Sequence, residues 1–205
     1  MTLSATFSAP SRHGPLSWTW RMHARGEPTE PLAREWLAAQ LGTTPAELNL
    51  GREVRGRPYL GPPQADFDCS WSHSGDGLLV ALGEKVRLGV DCERLHARPR
   101  ALELARRFFT APERDWLATF EAGYLRDRAF LRLWCAKEAV LKAHGHGLSF
   151  GLEKLRFVER EDGLVLMECD AALGTPSAWS LHEFMPTTGY VAALAWRRLP
   201  HTFSA

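Results

Sequence analysis

Two acidic positions, Asp91 and Glu93, stand one residue apart in Gly89-Val90-Asp91-Cys92-Glu93, at the end of an apolar run. On a strand the side-chain period is two, so both carboxylates point to one side, and Val90 and Cys92 to the other. Carboxylates aimed together are either a solvated strand end or oxygen ligands for a hard cation. Mg2+ typically takes one or two of them and leaves its other positions to water and phosphate. A second pair, Glu138 and Lys142, lies one helical turn apart in Trp134-Cys135-Ala136-Lys137-Glu138-Ala139-Val140-Leu141-Lys142. It is either an exposed stabilising pair worth about 0.3 kcal/mol or an acid and a cation at a site. Ser70-Trp71-Ser72-His73-Ser74 offers hydroxyls and an imidazole at the end of a strand. It reads as a turn rich in side-chain-to-backbone hydrogen bonds or as a phosphate cradle. No G-x-S-x-G surrounds these serines, so nothing marks a serine nucleophile. His144 and His146 form an H-x-H between glycines, a weak metal signal.

The element that must position the second pair is a helix over Leu125–His144, free of Pro and Gly and stopped by Gly145. At 100° per residue Phe130, Leu133, Trp134, Val140 and Leu141 share an apolar face. Lys137 falls in the middle of that face, where a charge is costly unless paired, so it should have a carboxylate partner and little contact with solvent. Asp91 and Glu93 end a strand, Val86–Glu93, that reads as one arm of a hairpin with Leu78–Leu82 around Gly83-Glu84-Lys85. The alternation in Leu16–Met22 predicts another strand, Phe67–Trp71 a strand running into the Ser72–Gly77 turn, and Leu32–Leu41 a helix. Residues 1–15 read as irregular. Thr44-Pro45-Ala46-Glu47 and Thr110-Ala111-Pro112-Glu113 are T-x-x-E capping boxes, the second opening a helix through Phe120 after a helix over Arg98–Phe109. Short strands follow at Leu155–Arg160, Gly163–Cys169, Ala178–Phe184 and Tyr190–Arg197.

A faint internal echo accompanies this order. Arg34-Glu35-Trp36-Leu37-Ala38 resembles Arg132-Leu133-Trp134-Cys135-Ala136, and Gly77-Leu78-Leu79-Val80-Ala81-Leu82 resembles Gly189-Tyr190-Val191-Ala192-Ala193-Leu194. If the echo is a duplication, two α+β halves, 1–97 and 98–205, pack about a pseudo-twofold axis, and the site lies between them. Gln40 of the first copy stands where the second has Glu138.

Composition narrows the class. Hydrophobic content of 45% and charged content of 24% are those of a soluble globular protein. A net charge of +1 argues against a general nucleic-acid binder, which carries a basic excess. The four cysteines have no C-x-x-C spacing and read as buried free thiols in a reducing compartment. There is no signal-peptide core, and the longest apolar runs, Leu78–Leu82 and Tyr190–Trp196, are too short to span a bilayer, so the expected location is the cytosol.

The series Gly56-Arg57-Pro58, Ser70–Ser74, Gly89–Glu93, Phe108-Phe109-Thr110-Ala111-Pro112-Glu113 and Trp134–Lys142 with Gly147 resembles the 4'-phosphopantetheinyl transferases of the surfactin-synthetase-associated type. The match spans roughly residues 32–155; the D-x-E followed by W-x-x-K-E-x-x-x-K is its most specific part. The resemblance implies the two-half fold, a monomer, coenzyme A as co-substrate and an apo carrier protein as acceptor. It implies that Asp91, Glu93 and Glu138 hold Mg2+ against the pyrophosphate, and that Lys142 neutralises phosphate charge. Glu138 is also the candidate base for the serine proton. Ser72 and His73 would hold the 3'-phosphate, with Arg57, and at the N-terminal side Arg34, near the nucleotide. Arg57 replaces the commoner Lys of its loop, keeping the charge but changing its geometry. Glu113 would cap its own helix, pair with Lys137 or face the metal. Carrier domains are acidic as a class, and Arg98–Lys142 holds ten Lys/Arg against six Asp/Glu. Arg106, Arg107, Arg126, Arg128 and Arg132 are therefore the expected dock. The rival readings are a Mg2+-dependent phosphodiesterase or nuclease, disfavoured by the charge balance, and a non-catalytic module that binds coenzyme A or a carrier.

Overall fold

The computed structural model describes residues 7–199, and its architecture is mixed α and β. The first sheet is antiparallel, in the order β1 (Ser11–His13), β2 (Leu16–Met22), β6 (Gly77–Glu84), β5 (Phe67–Ser74). The second has the order β10 (Ser180–Phe184), β11 (Tyr190–Arg198), β7 (Val86–Arg94). Two hairpins stand apart, β3 (Leu50–Arg52) with β4 (Pro58–Leu60), and β8 (Leu155–Arg160) with β9 (Gly163–Cys169). The helices are α1 (Thr29–Gln40), α2 (Ala101–Phe108), α3 (Ala111–Ala118) and α4 (Tyr124–His144). Among the described residues no helix is long and apolar enough to cross a membrane.

The period of two in the strands builds the layers. Leu78, Val80 and Leu82 of β6 face α1, packing with Ala33, Trp36 and Leu37. Leu79 and Ala81 face the other way and meet Leu88 and Val90 of β7 and Leu194 of β11 between the sheets. On the far face of the second sheet, Val191, Ala193 and Ala195 pack with Ala136, Ala139 and Val140 of α4. The order is thus α1, first sheet, second sheet, α4, with apolar side chains filling each gap.

The expected β6–β7 hairpin does not form. β6 pairs with β2 and β5, whereas β7 pairs with β11. A single residue, Lys85, joins the strands at φ 53, and the chain turns there from one sheet into the other. Beyond Gly83 the side chains of Leu16 and Val86 close the gap at the corner, where a Cβ on Gly83 would lie 2.8 Å and 2.5 Å from them. β7, on the N-terminal side of residue 97, therefore belongs to the sheet of the C-terminal segment. Residues 11–13, expected to be irregular, form the edge strand β1.

β5 and β7 lie side by side without pairing in a ladder, and side chains of β5 satisfy the exposed backbone of β7. Leu88 N–H donates to Asp68 Oδ2 at 2.7 Å, Val90 N–H to Ser70 Oγ at 3.1 Å, and Arg94 N–H to Ser74 Oγ at 3.2 Å. Alternate residues of β5 thus supply the acceptors that an adjacent strand would have supplied. This seam carries Asp91 and Glu93.

Candidate active site

α4 reaches the seam because β7 has no side chain at Gly89. A Cβ there would lie 2.0 Å from Ala139 O and 2.4 Å from Ala143 N, so the helix backbone could not stay where it is. The close approach brings Lys142 onto Asp91. Lys142 Nζ donates to Asp91 Oδ1 at 2.7 Å and to Ser72 Oγ at 2.8 Å. Ser72 Oγ in turn donates to the same Asp91 oxygen at 2.7 Å. Asp91 is buried, and its second oxygen, Oδ2, accepts no hydrogen bond among the described residues. Glu93 points to the same side of β7, where Ser74 Oγ donates to it at 2.8 Å.

Glu138 is buried beside this cluster, and among the described residues no hydrogen bond to its carboxylate is formed. Burial and the repulsion of Asp91 and Glu93 push its pKa up to about 7, against the pull of Lys142. Burial and Asp91 likewise raise Glu93. Lys142 shows the complementary effect: burial lowers it, but the charge and hydrogen bond of Asp91, with Glu138 behind, raise it above the ordinary lysine value. Three carboxylates thus crowd around one ammonium, with Arg98 Nη2 3.5 Å from Glu93 at the edge, and among the described residues Asp91 Oδ2 and the Glu138 carboxylate are left without hydrogen-bond partners.

These groups fit a hard divalent cation chemically, being oxygen donors under mutual repulsion. Among the described residues no trio of His, Cys, Asp or Glu is already drawn together tightly enough to hold a metal. Binding one would require the carboxylates to close from their present rotamers. Lys142 is the cation that balances Asp91 in this arrangement.

Ser72 and His73 do not act side by side. The serine run lies within β5 instead of in a turn, so the period of two sends the two side chains to opposite faces. Ser72 is buried against Asp91 and Lys142, while His73 is exposed. His73 lines a cleft of about 890 Å3 with His23, Arg25, Ser74, Asp76 and Arg94. Burial, then His23 and Lys142, lowers the His73 pKa. Ser74 borders the cleft and also binds Glu93, so it links the cleft to the acidic cluster.

The two arginines expected near a nucleotide are held by the protein itself. Arg34 Nη1 donates to Pro45 O at 3.1 Å and Leu48 O at 2.8 Å, and Nη2 to Leu50 O at 3.3 Å, which pins the chain entering β3 to α1. Arg57 is buried, and its guanidinium binds Asp68, Glu53 and four backbone carbonyls.

Lys137 is fully buried, with Nζ 2.8 Å from Glu113 Oε2. It also donates to Leu152 O at 2.8 Å and to Leu155 O. The ammonium's three donors therefore have three acceptors. Burial pulls its pKa down while Glu113 pulls it back up. Glu113 does two of the jobs considered for it at once. Its Oε2 also accepts from Thr110 N–H at 2.9 Å and from the Thr110 hydroxyl at 2.8 Å, and its Oε1 takes Phe157 N–H at 2.8 Å. The expected basic dock shrinks: Arg132 is paired with Glu159 and Glu183, and Arg126 donates to Phe120 O. Arg106 and Arg107 remain exposed.

Sequence reasoning missed Asp68, whose carboxylate joins Arg57 to β7, and Tyr190, whose hydroxyl donates to Asp76 Oδ1 at 2.6 Å beside the cleft. The even spacing of Asp68, Ser70, Ser72 and Ser74 was the available signal for the first. Tyr190 gave none.

The model of the 4'-phosphopantetheinyl transferase superfamily matches residues 87–195, the stretch from β7 through β11. The 4'-phosphopantetheinyl transferase HetI of Nostoc sp. is 34% identical over 166 residues, covering 80% of this chain and 67% of that protein. A phosphopantetheinyl transferase of Thraustochytrium sp. is 30% identical over 165 residues, 74% of this chain and 57% of its own length. The 4'-phosphopantetheinyl transferase of Bacillus subtilis is 32% identical over 137 residues, 67% of this chain and 59% of its own length. The chain thus spans between about half and two thirds of these relatives. With more than half of its residues under the family model, this chain belongs to the 4'-phosphopantetheinyl transferase superfamily.

Proposed function

We propose that this chain transfers the 4'-phosphopantetheine group of coenzyme A to a serine of an apo carrier protein, as an enzyme of the surfactin-synthetase-associated type. The observation that carries this reading is the cluster in which half-buried Lys142 meets the buried side chains of Asp91 and Ser72, with Glu138 buried beside them. In the proposed step the serine oxygen bonds to the β-phosphorus of the pyrophosphate. The P–O bond to the nucleotide breaks, and 3',5'-adenosine bisphosphate leaves.

A Mg2+ held by Asp91, Glu93 and Glu138 would neutralise charge on the diphosphate. Lys142 adds its ammonium to the same phosphates, and Ser72 keeps Lys142 and Asp91 in register. Glu138, buried beside Asp91 and Lys142, is our candidate to take the serine proton. His73, on the cleft side of β5, is our ligand for the 3'-phosphate. Phosphoryl transfer depends mainly on positioning and charge neutralisation, and these side chains supply both. Two halves divided in sequence near residue 97, with β7 of the first lying in the sheet of the second, a monomeric state and a cytosolic location complete the proposal.

The test is a mass measurement on an apo carrier protein incubated with this chain, coenzyme A and Mg2+. The phosphopantetheine mass should appear on the carrier and be lost with a chelator. An unmodified carrier, with metal-dependent cleavage of a phosphodiester in its absence, would support a phosphodiesterase instead.

A further inference from the structure

We propose that Arg57 is a positioning residue: it fastens the last turn of α4 to the β5–β7 seam and so sets where Lys142 meets Asp91. This rests on the transferase reading only for its kinetic test. Arg57 lies in the short connection between β3 and β4, yet Nε donates to Lys142 O at 3.1 Å and Ala143 O at 3.2 Å, residues more than eighty positions away. Nη1 donates to Pro58 O at 2.9 Å and Glu53 Oε1 at 3.5 Å. Nη2 donates to Leu88 O at 3.1 Å and to Asp68 Oδ2. A guanidinium has five N–H groups, and each has an acceptor here, leaving none for a nucleotide.

The acceptors explain the purpose. Lys142 O and Ala143 O are carbonyls at the end of α4 that no later helical N–H can reach, and a cation there also suits the helix dipole. Arg87 reinforces the clamp, with Nε on Ala143 O at 2.9 Å and Nη2 on Glu53 Oε2 at 3.1 Å. Asp68 ties the assembly to β7, because the oxygen that meets Arg57 also accepts Leu88 N–H at 2.7 Å. The residue after α4 makes room: a Cβ on Gly145 would lie 3.2 Å from Arg57 Cδ and 3.1 Å from Glu53 Oε2. One guanidinium therefore joins the strand that carries Asp91 to the turn that carries Lys142. A lysine in its place keeps the charge but puts all donors on one nitrogen, which cannot bridge acceptors on three sides.

The experiment compares wild type with Arg57→Lys and Asp68→Asn. Three readouts are taken: carrier modification kinetics, calorimetric binding of 3',5'-adenosine bisphosphate, and the Lys142 side-chain nitrogen signal by NMR. A clamp predicts kcat lower by about 10- to 100-fold in both variants, since a displacement of about 1 Å near a reacting centre costs that much. It also predicts a KM for coenzyme A and a bisphosphate affinity within about threefold of wild type, and a shifted Lys142 signal. Arg87→Lys should show the same pattern more weakly, which covers the case in which a stronger variant fails to fold. Bisphosphate binding weakened beyond threefold by Arg57→Lys, or an unchanged Lys142 signal, overturns the proposal. A wild type that modifies no carrier removes the transferase reading, and the NMR comparison still decides the clamp.

Discussion

Helix α4 carries two lysines five positions apart, and their surroundings are opposites. Lys137 is fully buried; every donor on its nitrogen has an acceptor, and its carboxylate partner Glu113 is itself held by Thr110 and Phe157. The Lys142 side chain is 31% exposed; it shares one oxygen of Asp91 with Ser72, and among the described residues the other oxygen has no partner and Glu138 beside it accepts nothing. The first cluster is complete without a ligand, and the second is not. Buried polar networks that serve the fold are closed, while those that wait for substrate retain unsatisfied groups.

The contrast can be broken most forcefully at the closed cluster. Lys137→Met leaves Glu113 as a buried charge with no cation, which should cost about 3–5 kcal/mol in denaturant unfolding. Adding Glu113→Gln should recover part of that loss. Activity per folded molecule should change little in either case, and a specific loss of transfer would mean that the Lys137 cluster also serves the reaction.

Next in size is the pH dependence of Glu138 in metal-free protein. Its folded pKa of about 7 lies above the ordinary 4.5, so the folded state binds the extra proton. Stability from this group is present below about 4.5 and is lost as pH rises towards 7. Glu138→Gln should therefore be more stable than wild type at pH 8, by on the order of 3 kcal/mol, and should match it near pH 4. Saturating Mg2+ should shrink the difference at pH 8. A variant with equal stability across the range would show that Glu138 is not under this strain.

Gly89→Ala tests the contact between the strand and α4. The added methyl must push the helix back, at a cost of about 1–3 kcal/mol. Because it moves Glu138 and Lys142 away from Asp91, it should depress kcat further than its stability loss explains. Retained kcat in the folded variant would argue that the close approach serves packing alone.

The smallest effect belongs to the surface. Reversing Arg106 and Arg107 to Glu should raise the KM for an acidic carrier several-fold, more at low salt, and leave coenzyme A binding intact. An unchanged KM would remove these residues from the dock.

What could be read from the chain alone follows the same division. That Lys137 has a carboxylate partner follows from its sequence position, because a charge in the middle of an apolar face has to be paired; which carboxylate stays open there, since Glu113 equally fits a helix cap or a metal ligand. The convergence of Asp91 and Glu93 followed from the period of two. The hairpin expectation failed because alternation marks a strand without saying which sheet receives it; the corner at Lys85 decides that. Sequence places Ser72 and His73 in one cradle because it predicts a turn where β5 continues, and a strand separates neighbours onto opposite faces. Arg57 was invisible as a clamp, since most of its acceptors are backbone carbonyls, which leave no mark on side-chain sequence.

The most direct measurement puts the two clusters of α4 side by side. An apo carrier protein is incubated with coenzyme A, Mg2+ and equal amounts of folded Glu138→Gln or Lys137→Met protein, and its mass is followed with time. A reaction centre at the open cluster predicts no phosphopantetheine on the carrier with Glu138→Gln and near wild-type modification with Lys137→Met. Normal modification by Glu138→Gln would contradict it.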